Sequence, residues 1–221
     1  MFRLKSLLAA PAAAGLILAV TPLIASADDG NSFTFPMVVN AGAKTCLPNA
    51  TATVHIQNAG PVEIMDIGVQ GLPPKTDFDF FVIQVPHGPF GVAWYQGDIE
   101  TDSNGRAAGH FVGRFSIETF AVATGSAAAP AVFNGPFPNA TVNPPFNPIQ
   151  MYHLGLWFNS PNDAAAAGCP ATVTPFNGEH NAGIQVLNTT NFPDDFGPLR
   201  HVNPAAAVKP NPTVPPDPNK K

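Results

Sequence analysis

Four consecutive large apolar residues, Phe80-Phe81-Val82-Ile83, set the first limit on how this chain can fold. An extended segment that carries them has no polar face, so both of its faces must be covered. The run lies within residues 71–115, which read as three strands separated by turns. Leu72-Pro73-Pro74-Lys75-Thr76 is the entry turn, because neither proline can donate to a ladder. Residues 77–85 then form a central strand, closed by His87-Gly88-Pro89, and residues 91–99 form a second strand carrying Trp94 and Tyr95. Thr101-Asp102-Ser103-Asn104-Gly105 predicts a hairpin loop, with Asn104-Gly105 supplying the positive-φ positions. Residues 106–117 return with Phe111 and Phe115 on one face and Arg106, His110 and Arg114 on the other.

The rest of the chain repeats this short-strand rhythm. Ser32-Phe33-Thr34-Phe35 alternates polar with aromatic, and Pro36 marks it as an edge or a strand end. Residues 50–57 and 62–72 read as half-buried strands on either side of Asn58-Ala59-Gly60-Pro61, and residues 150–158 and 182–188 read as two more. Residues 163–167 predict one short helical turn ending at Gly168. With 26 prolines and 19 glycines there is little room for long helices. The expected fold is therefore all-β, an Ig-like antiparallel β-sandwich over residues 28–202. It carries one long Pro/Asn-rich excursion, residues 126–148, and a disordered Pro-rich tail over residues 203–221.

The N-terminus gives an address. Arg3 and Lys5 precede an apolar run, and Ala25-Ser26-Ala27 supplies small residues ahead of Asp28-Asp29, the pattern of a secretory signal peptide over residues 1–27. A membrane anchor is the competing reading, but Pro11 and Pro22 interrupt a run already short for a bilayer. No later stretch is apolar enough to span one, so the expected product is secreted, with cell-wall association left open. In an oxidising compartment the two cysteines, Cys46 and Cys169, are most simply one disulfide. The alternative of two thiols or a metal pair lacks any CxxC or Cys–His spacing. With 10 Lys and Arg against 15 Asp and Glu, the chain argues against nucleic acid or anionic lipid as a partner.

Chemistry is harder to find. No HxH, HExxH or HxxxH spacing is present, but His153, Asp163, Glu179 and His180 lie on neighbouring late segments and are the candidate metal set. Most of the six histidines are expected to face solvent on strands and loops. There is no Gly-x-Ser-x-Gly elbow. Asp77 and Asp79, two apart on a strand, share a face and could pair as acid and base, although exposed rim charges explain them as well. Asp102-x-Asn104-Gly105 resembles part of a calcium loop, yet Gly113 stands where a bidentate Glu is needed, so a side-chain-closed turn is preferred. Phe133, Phe137 and Phe146 in the excursion, with Trp94 and Trp157, are candidate recognition aromatics.

The run GLPPKTDFDFFVIQV, followed by WYQGDIETDSNGRAAGHFVGRF, resembles extracytoplasmic bacterial Ig-like modules such as the outer domains of anti-sigma factors. The likeness covers about 45 of 221 residues and implies a fold and an address, not an activity. QMYHLGLWFNSPNDAAAAGCP and GIQVLNTTNFPDDFGPL are similar to segments of secreted actinobacterial proteins of uncharacterised role. The expected function is a secreted non-catalytic protein that binds cell-wall polymer, a glycan or another secreted protein, with no cofactor implied. A secreted metal-dependent hydrolase built on the late His/Asp/Glu set is the alternative.

Overall fold

A computed structural model describes residues 30–121 and 149–204. The predicted signal peptide, the whole Pro/Asn-rich excursion of residues 126–148 with Phe133, Phe137 and Phe146, and residues 205–221 of the predicted tail lie outside them. The strands are β1 Ser32–Val39, β2 Thr51–Asn58, β3 Glu63–Gln70, β4 Asp77–Ile83, β5 Ala93–Glu100 and β6 Ala107–Gly113. The short pair β7 Phe120–Ala121 and β8 Ile149–Gln150 follows, then β9 His153–Phe158, helix α1 Pro161–Ala166 and β10 Gln185–Asn188. The sheet order is β5-β4-β9-β10-β1-β2-β3-β6, antiparallel throughout.

This eight-stranded sheet curls until its two edges meet. Phe111 of β6 stacks on Phe80 of β4 with ring centroids 5.5 Å apart. It also lies over Gly97 of β5, where an added Cβ would stand 2.9 Å from the ring. Gly97 has φ 153°, and it flanks a bulge: Phe80 opposes Gly97 while Phe81 opposes Tyr95, so Gln96 is left without a partner. Strand β1 carries the chain from one half of the curl to the other. It pairs with β2 as far as Met37 and with β10 only at Val38 and Val39. Pro36 is thus inside a strand rather than at its end, and it has a neighbour on one side alone. Its carbonyl accepts from Asn191 Nδ2 at 3.2 Å on the side away from β2, which is where the missing N–H would also point.

The period of two decides what is buried. Ala52, Val54 and Ile56 of β2, Met65, Ile67 and Val69 of β3, and Leu154, Leu156 and Phe158 of β9 all enter one core. Strand β4 is buried on both faces, as its sequence requires. Phe78, Phe80 and Val82 join the main core, while Phe81 and Ile83 form a second cluster with Trp157 and Ala182 on the outer side. Phe90 and Phe176, from the segments over that face, close it edge-on against Trp157 and Phe81. Each fully buried large side chain contributes roughly 2–3 kcal/mol.

Two turn readings differ from what forms. The turn at residues 101–105 is tight, with Asp102 Oδ1 accepting from Asn104 N at 2.8 Å and from Arg106 N at 2.9 Å. It joins no hairpin, however, because β5 pairs with β4 and β6 with β3, at opposite edges of the sheet. Local turn chemistry reverses the chain; the two-sided burial of β4 decides which strand it then meets. The predicted strand over residues 150–158 is broken at Met151, whose N–H donates to Thr119 O at 2.9 Å, giving β8 and β9. Helix α1 starts two residues earlier than expected, on Pro161, capped by Ser160. Gly168, at φ 73°, follows its end.

Cys46 and Cys169 form the disulfide, with Cα atoms 5.3 Å apart and a sequence separation of 123. It ties the β1–β2 connection to the end of α1. The start of the predicted tail is held to the domain: Asn203 N donates to Gly30 O at 2.8 Å, and Asn58 Nδ2 to Pro204 O at 3.3 Å.

Candidate functional site

Outside the aromatic cluster, the outer face of the β4–β5 edge turns acidic. Residues 77 and 79 share a face of β4 because they are two apart, and residues 98 and 100 share a face of β5 for the same reason. The register sets Asp77 opposite Glu100 and Asp79 opposite Asp98. Four carboxylates therefore occupy the corners of a rectangle, about 5 Å across the strands and about 7 Å along them. Like charges directly opposite one another destabilise a strand pair, and here two such pairs are consecutive. The Gln96 bulge then brings Tyr95 onto the same face, where its ring meets Phe81 edge-on at 5.5 Å and its hydroxyl donates a short bond to Asp98 Oδ1. Tyr95 remains 47% exposed.

The four acids differ in their surroundings. Asp98 and Glu100 are exposed and Asp77 is half-buried, whereas Asp79 is only 2% exposed and its Oδ2 has no hydrogen-bond partner. Burial pushes the Asp79 carboxyl up to about 7, and Asp98 and Asp77 add to the shift; the neighbouring Asn177 side chain opposes it. Asp77 is raised by burial and by Asp98, against the N–H of Phe78, which donates to its Oδ1 at 2.9 Å. Burial, then the bond to Asp98, also drives the Tyr95 phenol upward. The charged groups acting on Asp79 are Asp98, Asp77 and Glu179, and those acting on Asp77 are Asp98, Glu100 and Asp163. All are acidic.

Asn177 helps cover Asp79. Its Nδ2 donates to Asn159 O at 2.8 Å, and its Oδ1 accepts from Asn181 N at 2.9 Å, which pins the segment around it to the end of β9. In the same cross-strand row, Asp79 lies opposite Trp157 and Trp157 opposite Gln185. Trp157 Nε1 and Gln185 Nε2 are likewise buried without partners. The three buried side-chain atoms that lack a partner among the described residues thus belong to one row of the sheet.

The predicted metal set is not assembled. His153 opens β9, while Asp163 lies beyond its far end in α1; five residues of strand alone separate those ends by about 17 Å. Both ring nitrogens of His153 are engaged, Nδ1 with Thr189 Oγ1 at 2.9 Å and Nε2 with Asp194 O at 3.2 Å. Asp163 Oδ2 accepts from Ser160 Oγ at 2.6 Å at the helix start. Glu179 and His180 are exposed, His180 in a turn at φ 58°. Among the described residues no three His, Cys, Asp or Glu side chains converge as a metal-binding group.

The two tryptophans are also placed differently from a recognition surface. Trp157 is fully buried. Trp94 is half-buried against the main core and donates from Nε1 to Gln96 Oε1 at 3.1 Å. Asp79, expected at an exposed rim, is covered instead, because the Asn177 segment crosses its end of the sheet. The pairing of Asp98 and Glu100 with it is the feature that sequence reasoning missed. The available signal was the second acidic pair at the same spacing of two on the next strand.

No protein-family model matches the chain, and no curated protein matches it in sequence.

Proposed function

We propose that this chain is an exported, non-catalytic binding protein of the extracellular space or cell envelope, and that the acidic face is its binding surface. The partner is a basic segment of another secreted protein. The observation that carries this reading is the pair of like-charge oppositions, Asp77–Glu100 and Asp79–Asp98, kept side by side with a buried, unpartnered Asp79 Oδ2 at their centre. Each opposition costs roughly 0.2–1 kcal/mol in an isolated sheet, and an unsatisfied buried oxygen costs about 1–3 kcal/mol more. Ligand cations at the exposed Asp98 and Glu100 offset the like-charge oppositions, and their charge acts on the buried Asp79 across the strand pair. The carboxylates are spread in a grid rather than converging on a point, which suits the separate ammonium or guanidinium groups of Lys and Arg side chains better than a single metal ion. Tyr95 adds an exposed ring edge and face for a cation to lie against.

Export is supported by the disulfide, which persists in oxidising compartments, together with the N-terminal sequence pattern. No helix among the described residues is long and apolar enough to cross a membrane. The Ig-like affiliation with extracytoplasmic modules belongs to the same proposal, and the antiparallel all-β domain is compatible with it.

A fluorescently labelled hexalysine peptide tests the reading by anisotropy. Binding at pH 8 that weakens with salt, and at least tenfold in the double variant Asp98→Asn/Glu100→Gln, is expected. Affinity indifferent to that double substitution would sink it.

A further inference from the structure

The two acidic pairs are not equivalent. Asp77 and Glu100 both reach water, but in the inner pair Asp98 is exposed while Asp79 is sealed beneath the Asn177 segment. A carboxylate taken out of water beside another carboxylate is expensive to ionise, and the cheapest remedy is a proton. The charged groups acting on Asp79 reinforce this: Asp98 on β5, Asp77 on its own strand and Glu179 on the covering segment, while Glu100 on β5 and Asp163 on α1 act on Asp77, and the neutral Tyr95 phenol donates to Asp98. β9 contributes Trp157, which does not ionise in this range.

We propose that Asp79 is a proton gate for the acidic face, a carboxylic acid when the face is empty and a carboxylate when a cationic side chain lies against the Asp79–Asp98 pair. This rests on the reading of the face as a binding surface. The geometry supplies both end states. The empty face has an Asp79 oxygen that lacks a partner and can carry the proton. In the loaded face a Lys ammonium or Arg guanidinium provides the opposite charge that no neighbouring side chain offers. The position of Asp79's ionisation, about 7, puts this exchange near neutrality rather than in the ordinary carboxyl range. Because a cation on the exposed Asp98 and a proton on the buried Asp79 beside it answer the same excess of negative charge, the effect is reciprocal: binding favours release of the proton, and acid weakens the hold on the cation.

Two measurements on the full mature chain separate the gate from the binding reading. Carbonyl-carbon NMR of aspartate-labelled protein, with Asp79→Asn to assign the signal, follows the Asp79 carboxyl directly and requires no ligand. Calorimetric titration with hexalysine in buffers of different ionisation enthalpy then counts protons released on binding between pH 5.5 and 8.5. With its N-terminus acetylated, the peptide has no group that titrates there, since its lysine side chains ionise near about 10.4. The proposal expects an Asp79 midpoint near 7, affinity falling by about tenfold per pH unit below that midpoint, and close to one proton released per peptide in the acid part of the range. In Asp79→Asn the pH dependence should disappear, and affinity should stay at every pH near the weak value that the wild type shows on its acid limb. An Asp79 midpoint near 4 overturns the gate even if hexalysine binds. A midpoint near 7 with binding that neither releases protons nor varies with pH also overturns it, and leaves the binding surface standing. A midpoint near 7 with no hexalysine binding overturns both readings.

Discussion

Replacing Asp79 with asparagine should make this protein more stable at pH 8 and leave it nearly unchanged at pH 4. The folded carboxyl ionises at about 7 against a reference of 3.8, chiefly because burial disfavours its charged form. Between those two values the folded protein holds a proton that the unfolded chain has released, so its stability falls as pH climbs. The penalty is absent below about pH 4 and complete above about pH 7. About three pH units at 1.36 kcal/mol each amount to about 4 kcal/mol. The asparagine side chain has nearly the same shape and no charge to bury, so the substitution removes this penalty. The assay is urea unfolding of wild type and Asp79→Asn at half-unit steps from pH 4 to pH 8, followed by tryptophan fluorescence, for which the buried Trp157 is a reporter. The difference between the two proteins should grow steadily across the window and then level off. In thermal melts at pH 8 it should appear as a gain of about 8–16 °C for a domain of this size. A difference that does not vary with pH would refute the reasoning, since it would mean that Asp79 is ionised throughout.

Two further outcomes follow from groups outside the acidic face. Burial lowers the pKa of His153 below its usual 6.5, so the unfolded chain takes up a proton that the folded one refuses; stability should drop as pH falls below about 6.5, and His153→Gln should flatten that limb in the same urea series. Opening the Cys46–Cys169 bridge with Ser at both positions should cost about 4–5 kcal/mol from its 123-residue separation, read as a lowered urea midpoint that dithiothreitol reproduces in the wild type.

Much of this fold is legible in the residues themselves because it depends on local geometry. The alternation in β2 and β3 follows from side chains taking opposite faces at every step. The two-sided burial of β4 follows from Phe80-Phe81-Val82-Ile83, which has no face to leave in water. The turn at Asp102 is written in side chains that close on their own backbone, and the disulfide in there being two cysteines to pair.

Pairing across distance is not local. Nothing in Thr101-Asp102-Ser103-Asn104-Gly105 says that β6 will join β3 instead of β5, because that choice is made by how the whole sheet encloses its core. The metal set failed for the same reason: adjacency in sequence placed His153 near Asp163, while the length of β9 holds them apart. The acidic face needed both levels. Spacing of two put Asp77 with Asp79 and Asp98 with Glu100, but only the antiparallel register beyond the Gln96 bulge set the pairs against each other. Only the crossing of the Asn177 segment then buried Asp79. Composition and period determine which side chains leave water. The tertiary structure decides which of them meet, because register and burial come from contacts between residues far apart in the chain.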